Sequence, residues 1–332
     1  MGAAFASTPV QGETTLPQPS NSNGKSAQAN HPFSSESMMN LSLRSCTLAA
    51  AILTAVLSIS SIAASSETPT ATLNNGMRFP KVSFGLQVYD DPTALKYTTL
   101  ALQAGIRNFF ASVLAGNQKG FGEALKAASS KVARKEIFIC GSANTASCSG
   151  YNDCYSQTRA AGKQNLLDIG VEYLDQIMLD YPSSDCNSIR GQWAAFEDML
   201  KEKGTRSIAV SNFSPKQLEC IPPNATVPAV NQLPYSVGHG SDKAVEENYA
   251  HGKITVQAYS PLGSGSVLSD HDVIAIGKRH NKSSAQVALR WIIQRNATFT
   301  TSASTQEHFE EDLDIFDFEL SETEMNTLNA KK

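Results

Sequence analysis

The chain has 332 residues, of which 27 are lysine or arginine and 31 are aspartate or glutamate, so its formal net charge is −4 at pH 7. This balance argues against a nucleic-acid-binding surface and against a polybasic patch for membranes. The length allows two domains or one large α/β barrel.

The N-terminal part differs from the rest of the chain. Residues 1–37 are rich in Ser, Asn, Gln, Pro and Ala, and we expect them to be disordered because they cannot bury a core. Residues 38–66 contain an apolar run, Cys46–Ala64, with Arg44 before it and small residues after it. This layout predicts a secretory signal peptide or, since the run approaches spanning length, an uncleaved signal anchor. We therefore expect a protein of the secretory pathway, secreted or anchored, that meets the membrane only if the segment is not cleaved.

Five cysteines follow the apolar run. Cys148 and Cys154 flank the residues SGYND, a loop short enough to be closed by a disulfide. Because five is odd, at least one thiol stays free or pairs elsewhere. The cysteines and histidines show no spacing typical of a zinc site, and we expect no metal.

From about residue 70 the chain alternates short β-rich runs with helical stretches. The segment ATLNNGMRFPKVSF has Asn-Gly between two extended runs, which predicts a β-hairpin. The strands predicted after it are residues 82–86, 107–112, 137–142, 174–179, 206–212, 228–233, 254–260 and 299–304. The predicted helices are residues 92–104, 120–128, 155–169, 189–203, 214–219, 244–249, 269–279, 284–295 and 307–313.

Eight strands interleaved with helices are the count of a (β/α)₈ barrel. The predicted fold is therefore α/β, a single TIM-barrel domain over residues 70–330 with an N-terminal β-hairpin. No GxGxxG pattern opens a helix, which argues against a Rossmann domain. In a TIM barrel, chemistry is located at the C-terminal ends of the strands.

Several motifs resemble the aldo-keto reductase superfamily over about residues 72–330. They are, in order, IAVSNFSPKQL, PAVNQLPYS, VQAYSPLGSG, SAQVALRWIIQR and DLDIFDFELSETEM. The resemblance implies a (β/α)₈ enzyme that moves a hydride between NAD(P)H and a carbonyl compound. Matched to the family's motifs, Ser211, Asn212 and Gln232 are expected to bind the nicotinamide carboxamide. Tyr259 is expected to stack on the ring, and Leu262 to lie in the loop beside the pyrophosphate.

The residues expected to bind the other end of the cofactor depart from the family's pattern. NADPH-dependent members grip the 2′-phosphate with a Pro-Lys-Ser run at the last strand and with an Arg and an Asn soon after. This chain has Thr301, Ser302 and Ala303, then His308 and Asp312. Three acidic residues surround these positions in the sequence, Glu307, Glu310 and Glu311, and they would repel a phosphate. We therefore expect any bound cofactor to be NADH rather than NADPH.

The family's catalytic tetrad is the larger departure. It consists of an Asp, a Tyr, a Lys and a His, in which the Tyr donates a proton to the carbonyl oxygen. The corresponding positions hold Phe110, Ala115, Ser142 and Asp180. The resemblance therefore implies a divergent member without the tetrad, a pseudoenzyme that is catalytically impaired or inactive and retains at most residual NAD(H) binding.

Two alternatives remain open. One is an active NAD(P)H-dependent aldehyde or ketone oxidoreductase with a rearranged site around Asp180; the tyrosines near the barrel top, without a nearby cation, would be poor acids. The other is a binding module whose partner is a small molecule at the barrel mouth, or an unidentified protein. The chain ends with NTLNAKK, before the tail that closes the pocket in many relatives, so we expect an open mouth.

Overall fold

The computed structural model describes residues 68–86, 89–240, 242–263 and 265–331. The predicted disordered tail (1–37) and the predicted signal segment (38–66) lie outside these residues. Within the described ranges, no helix is long and apolar enough to cross a membrane. The prediction of a secreted or membrane-anchored protein is accordingly corrected and withdrawn, since no apolar helix among the described residues supports it.

The predicted hairpin forms and covers the N-terminal end of the barrel. Strand β1 (Thr70–Thr72) pairs antiparallel with β2 (Arg78–Pro80), and the turn between them includes Gly76 at φ 82°. Glycine tolerates this left-handed conformation because it has no Cβ. Leu73 and Phe79 pack on the inward side chains at the bottom of the barrel. The hairpin therefore closes the end opposite to the expected site.

The barrel is a closed ring of parallel strands, as the alternation of short apolar runs and helices predicts. Its order is β10-β3-β4-β5-β6-β7-β8-β9, so each strand lies beside its sequence neighbours and the last strand meets the first. The strands are β3 (Val82–Gly85), β4 (Asn108–Ala111), β5 (Phe138–Ala143), β6 (Gln176–Leu179), β7 (Ile208–Ser211), β8 (Val230–Pro234), β9 (Thr255–Tyr259) and β10 (Thr298–Thr301).

Helices connect the strands, and the nine predicted helices lie close to where the sequence places them, whereas the helix Glu322–Asn329 was not predicted. Side-chain caps set several starts; Asp185, for example, accepts from the N–H groups of Asn187 and Ser188. The helices are α1 (Asp91–Ala104), α2 (Gln118–Ala128), α3 (Tyr151–Ile169), α4 (Cys186–Lys201), α5 (Pro215–Leu218), α6 (Asp242–Gly252), α7 (His271–His280), α8 (Ser284–Gln294), α9 (Gln306–Leu313) and α10 (Glu322–Asn329).

The strands alternate between an outer layer and the barrel interior. Outward side chains such as Phe84, Phe109 and Ile139 join the main core beneath the helices. Inward side chains are apolar near the hairpin, where Phe138 and Met178 pack together. Nearer the C-terminal strand ends the interior becomes polar and includes the buried side chains Ser142, Asp180, Ser211, Gln232 and Gln257. This change of polarity along the barrel axis locates the candidate site.

Two disulfides brace the C-terminal end of the barrel. Cys148–Cys154 joins the loop after β5 to the first turn of α3, as the short spacing suggested. Cys186–Cys220 links the start of α4 to the segment after α5. Cys140 is a free, buried thiol inside the barrel. Ser183 Oγ also donates to the carbonyl of Cys148 at 2.9 Å, so the first disulfide loop is held against the end of β6.

Candidate active site

A buried carboxylate joins the C-terminal ends of three neighbouring strands. Ser142 Oγ, on β5, donates to Asp180 Oδ2 at 2.9 Å, and Ser112 Oγ, just after β4, donates to the same oxygen at 3.0 Å. The N–H of Val113 donates to Ser142 Oγ at 2.9 Å, which leaves the hydroxyl hydrogen of Ser142 for the carboxylate. Asp180 directly follows β6, so the parallel register of the barrel creates this cluster.

The environment of Asp180 makes the charged form of its carboxyl costlier than it is in water. The residue is only 4% exposed, and burial raises the pKa of its carboxyl to about 6, against the lowering effect of the hydrogen bonds from Ser142 and Ser112. Within the part of the chain that the structure describes, Asp180 has no ion pair, and its Oδ1 atom accepts no hydrogen bond. The carboxyl therefore has one oxygen bound by hydroxyls and one without a partner.

The other two positions matched to the tetrad carry apolar side chains. Phe110 on β4 points into the barrel, packs on the interior apolar cluster and stays partly exposed. Ala115 ends a short 3₁₀ turn, Val113–Ala115, and is 6% exposed. Because Ser112 stands between them and contacts Asp180, all four matched positions lie around one region of the barrel mouth.

The residues expected to bind nicotinamide form a second, adjoining group. Asn212, at φ 61° after β7, donates through Nδ2 to Ser211 Oγ at 3.1 Å and to the backbone carbonyl of Asp180 at 3.0 Å. Tyr259 Oη donates to Asn212 Oδ1 at 3.0 Å. Gln232 is buried on β8, and its backbone carbonyl accepts from Ser211 Oγ at 3.0 Å. This group therefore adjoins the Asp180 cluster directly.

The donors and acceptors of this second group suit a carboxamide. Asn212 and Gln232 each offer an amide N–H and a carbonyl oxygen, and Ser211 offers a hydroxyl. Each of these side chains also has a neighbouring partner; Gln232 Nε2, for example, donates to Gln257 at 2.8 Å. Leu262 is half-buried against the core, and its carbonyl accepts from the N–H of Gly265 at 3.1 Å in the loop after β9. The set fits a nicotinamide if its internal hydrogen bonds exchange for ligand bonds.

The residues matched to the 2′-phosphate grip have no lysine or arginine among them. Residues 299–314 contain neither residue type, and His308 and Ser302 are exposed. Asp312 is buried, and desolvation, helped by the neighbouring charge of Glu311, raises the pKa of its carboxyl to about 8. Asp312 is thus largely protonated at neutral pH. The other carboxylates of this segment belong to Glu307, Glu310 and Glu311 on α9.

Ser112 was not predicted from the sequence as a site residue. It lies two positions after Phe110, and alternate residues of a strand share one face, so the inward direction of Phe110 was the available signal. Its position is reinforced from both sides. Gln118 Nε2 donates to the carbonyl of Ser112 at 2.6 Å, and the Ser112 hydroxyl oxygen accepts from the N–H of Leu114 at 3.2 Å.

A closed parallel barrel with a polar cluster at its C-terminal strand ends belongs to the TIM-barrel class. Comparison with known proteins gives the family: the model for the aldo/keto reductase family matches residues 76–332, and the chain belongs to that family. A relative named aldo-keto reductase, from Mycolicibacterium smegmatis, is 32% identical over 265 residues, covering 79% of this chain and 90% of that protein. A relative named glyoxal reductase, from Bacillus subtilis, is 31% identical and covers 79% and 92%.

Solved structures agree on the fold. The crystal structure of an aldo/keto reductase from Brucella melitensis superimposes with a TM-score of 0.72 at 30% identity, covering 79% of this chain and 98% of that one. The aldose reductase from Schistosoma japonicum gives 0.71 at 27% identity, covering 78% and 91%. The predicted family and the predicted barrel are confirmed.

Proposed function

We propose that this chain is an aldo-keto reductase barrel that retains a site for NAD(H) but does not reduce carbonyl compounds at the rates of a working enzyme. One observation carries the proposal. At the four positions matched to the tetrad, Phe110 and Ala115 are apolar, while Ser142 and Asp180 are hydrogen-bonded to each other. The tetrad's proton donor and its cation are both missing from this arrangement.

Other hydroxyls at the mouth are poor replacements for the missing tyrosine. Tyr259 donates its hydroxyl proton to Asn212, and burial, with a smaller effect of Tyr181, raises the pKa of its phenol. Burial likewise raises the pKa of Tyr89, with a further contribution from Tyr97. A phenol with a raised pKa is a weaker acid, and general acid catalysis commonly contributes about 10²–10⁴-fold in rate.

Cofactor preference is proposed to favour NADH. When bound, the nicotinamide cofactor supplies the hydride; Ser211, Asn212 and Gln232 would hold its carboxamide, and Tyr259 would lie against its ring. At the other end, an extra phosphate would meet the carboxylates of α9 without a lysine or arginine from residues 299–314. A ribose hydroxyl carries no charge and meets no such repulsion.

The test is a fluorescence titration of the purified barrel with NADH and with NADPH, followed by oxidation assays with a panel of aldehydes and ketones. We expect weak binding of NADH, weaker binding of NADPH and no turnover above background. Turnover near about 1 s⁻¹, inside the usual enzymatic range of about 1–10³ s⁻¹, would contradict the proposal.

Asp180 supports a second candidate function, a reductase with a rearranged acid. Its Oδ1 atom has no partner among the described residues, and its pKa of about 6 keeps part of the population protonated near neutral pH. In this alternative, Asp180 gives its proton to the carbonyl oxygen as the carbonyl carbon receives hydride, and the carboxylate is left behind. Activity would then fall as pH rises above about 6 and would disappear in Asp180→Ala.

A further inference from the structure

The unpartnered oxygen of Asp180 indicates what kind of ligand the barrel mouth accepts. A carboxylate removed from water is costly unless a cation or a full set of hydrogen bonds compensates it. Here Ser112 and Ser142 are neutral donors, and both contact Oδ2 alone. Neither lysine nor arginine is paired with Asp180 within the described ranges. The site therefore has an excess of negative charge that a ligand can neutralise.

Three aromatic residues belong to the strand ends that form this part of the barrel mouth. Phe110 points into the barrel and remains partly exposed. Tyr181 directly follows Asp180 and is 43% exposed. Tyr259 is half-buried at the end of β9, where burial, with a smaller contribution from Tyr181, raises the pKa of its phenol. Faces of aromatic rings attract cations, and their area buries apolar groups.

We propose that the barrel mouth binds a small protonated amine that carries an apolar group, with Asp180 Oδ1 as the counter-ion. The proposal rests on the same site as the proposed function and names its ligand class. A site with the tetrad would bind a neutral carbonyl compound. The altered site, by contrast, is proposed to bind a cation.

The geometry favours an ammonium over other cations. A guanidinium binds best through two parallel N–H groups to both oxygens of a carboxylate, and Oδ2 of Asp180 already accepts two serine hydroxyls. An ammonium is a compact charge that needs a single oxygen. A metal ion would need further ligands, and the described residues hold no group of three or more His, Cys, Asp or Glu side chains that could bind one.

The experiment is isothermal titration of the wild-type chain with benzylamine, benzyl alcohol and phenylguanidine near neutral pH. Benzyl alcohol has nearly the same shape without the charge. We expect benzylamine to bind at least about tenfold more tightly than benzyl alcohol, with phenylguanidine weaker than benzylamine. Equal affinities for the amine and the alcohol would overturn the proposal.

Two variants complete the test. Asp180→Asn keeps the shape and a hydrogen-bond acceptor but removes the charge, and we expect it to lose the preference for the amine. Asp168→Asn, which removes an exposed carboxylate on α3, should retain it. A preference that survives in Asp180→Asn would refute the role of this carboxylate. NADH titration of the same samples separates the two proposals. If the protein binds the amine but not NADH, only the proposed cofactor site is refuted.

Discussion

Replacing Asp180 with asparagine should stabilise the folded protein at alkaline pH. The pKa of this carboxyl rises from 3.8 to about 6 because the side chain is buried. Since the folded state holds the proton more tightly than the unfolded state, stability falls as pH rises from about 4 to about 6 and stays low above that range. A shift of about two pKa units corresponds to about 3 kcal/mol, at about 1.4 kcal/mol per unit.

Asparagine removes this titration while keeping an oxygen that can accept from Ser112 and Ser142. We therefore expect Asp180→Asn to raise the free energy of unfolding by about 1–3 kcal/mol near pH 8, and to have little or the opposite effect near pH 4.5. Urea denaturation followed by circular dichroism at both pH values measures the difference. Asp168→Asn, at an exposed site, serves as the matched control.

Two outcomes would refute this reasoning. If Asp180→Asn lowers stability near pH 8, the carboxylate is compensated in the fold by a partner stronger than two serine hydroxyls. If the change in stability is the same at both pH values, the effect comes from packing and not from ionisation. Either result would also remove the excess charge on which binding of an amine depends.

Three further substitutions probe the fold and the cofactor site. Gly191→Ala should lower stability by about 1–3 kcal/mol, since a Cβ there would stand 2.2 Å from the carbonyl oxygen of Tyr151; thermal unfolding measures this. Asp175→Ala should cost about 1–3 kcal/mol in urea denaturation, because the buried N–H of Ile139 loses its acceptor and two partly exposed arginines lose their partner at the base of the barrel. The double variant Ser302→Lys with His308→Arg should bind NADPH at least about tenfold more tightly in a fluorescence titration, with a gain that salt reduces.

Each of these has its own contrary result. Normal stability of the glycine variant would mean that the start of α3 can move away from α4. A small loss in the aspartate variant, comparable to that of an exposed ion pair, would mean that solvent compensates the two arginines. NADPH affinity that does not change in the double variant would mean that these positions do not face the 2′-phosphate.

Local pattern was enough to determine the architecture from the sequence. The Asn-Gly turn, the short apolar runs and the helical stretches between them place the strands and nine of the ten helices in the described residues within a few residues, because turn chemistry and periodicity act over short range. The last helix, α10, was not predicted. The motifs around Ser211, Gln232 and Tyr259 also identify the family. The segments that flank the predicted strands show that Phe110, Ala115, Ser142 and Asp180 occupy the positions of the tetrad. The apolar run near the N-terminus was misleading, because such a pattern alone does not establish a secretory signal.

Only the tertiary structure decided the chemistry of the site. Ser112 and Asp180 are 68 residues apart, and their contact depends on the register of neighbouring strands in the closed barrel. The pairing of Cys186 with Cys220 and the burial of Asp312 likewise follow from helix packing. The pKa of a carboxyl depends on what surrounds it, and distant segments supply those surroundings. The sequence therefore shows which groups the site has lost, and the fold determines how the remaining groups interact.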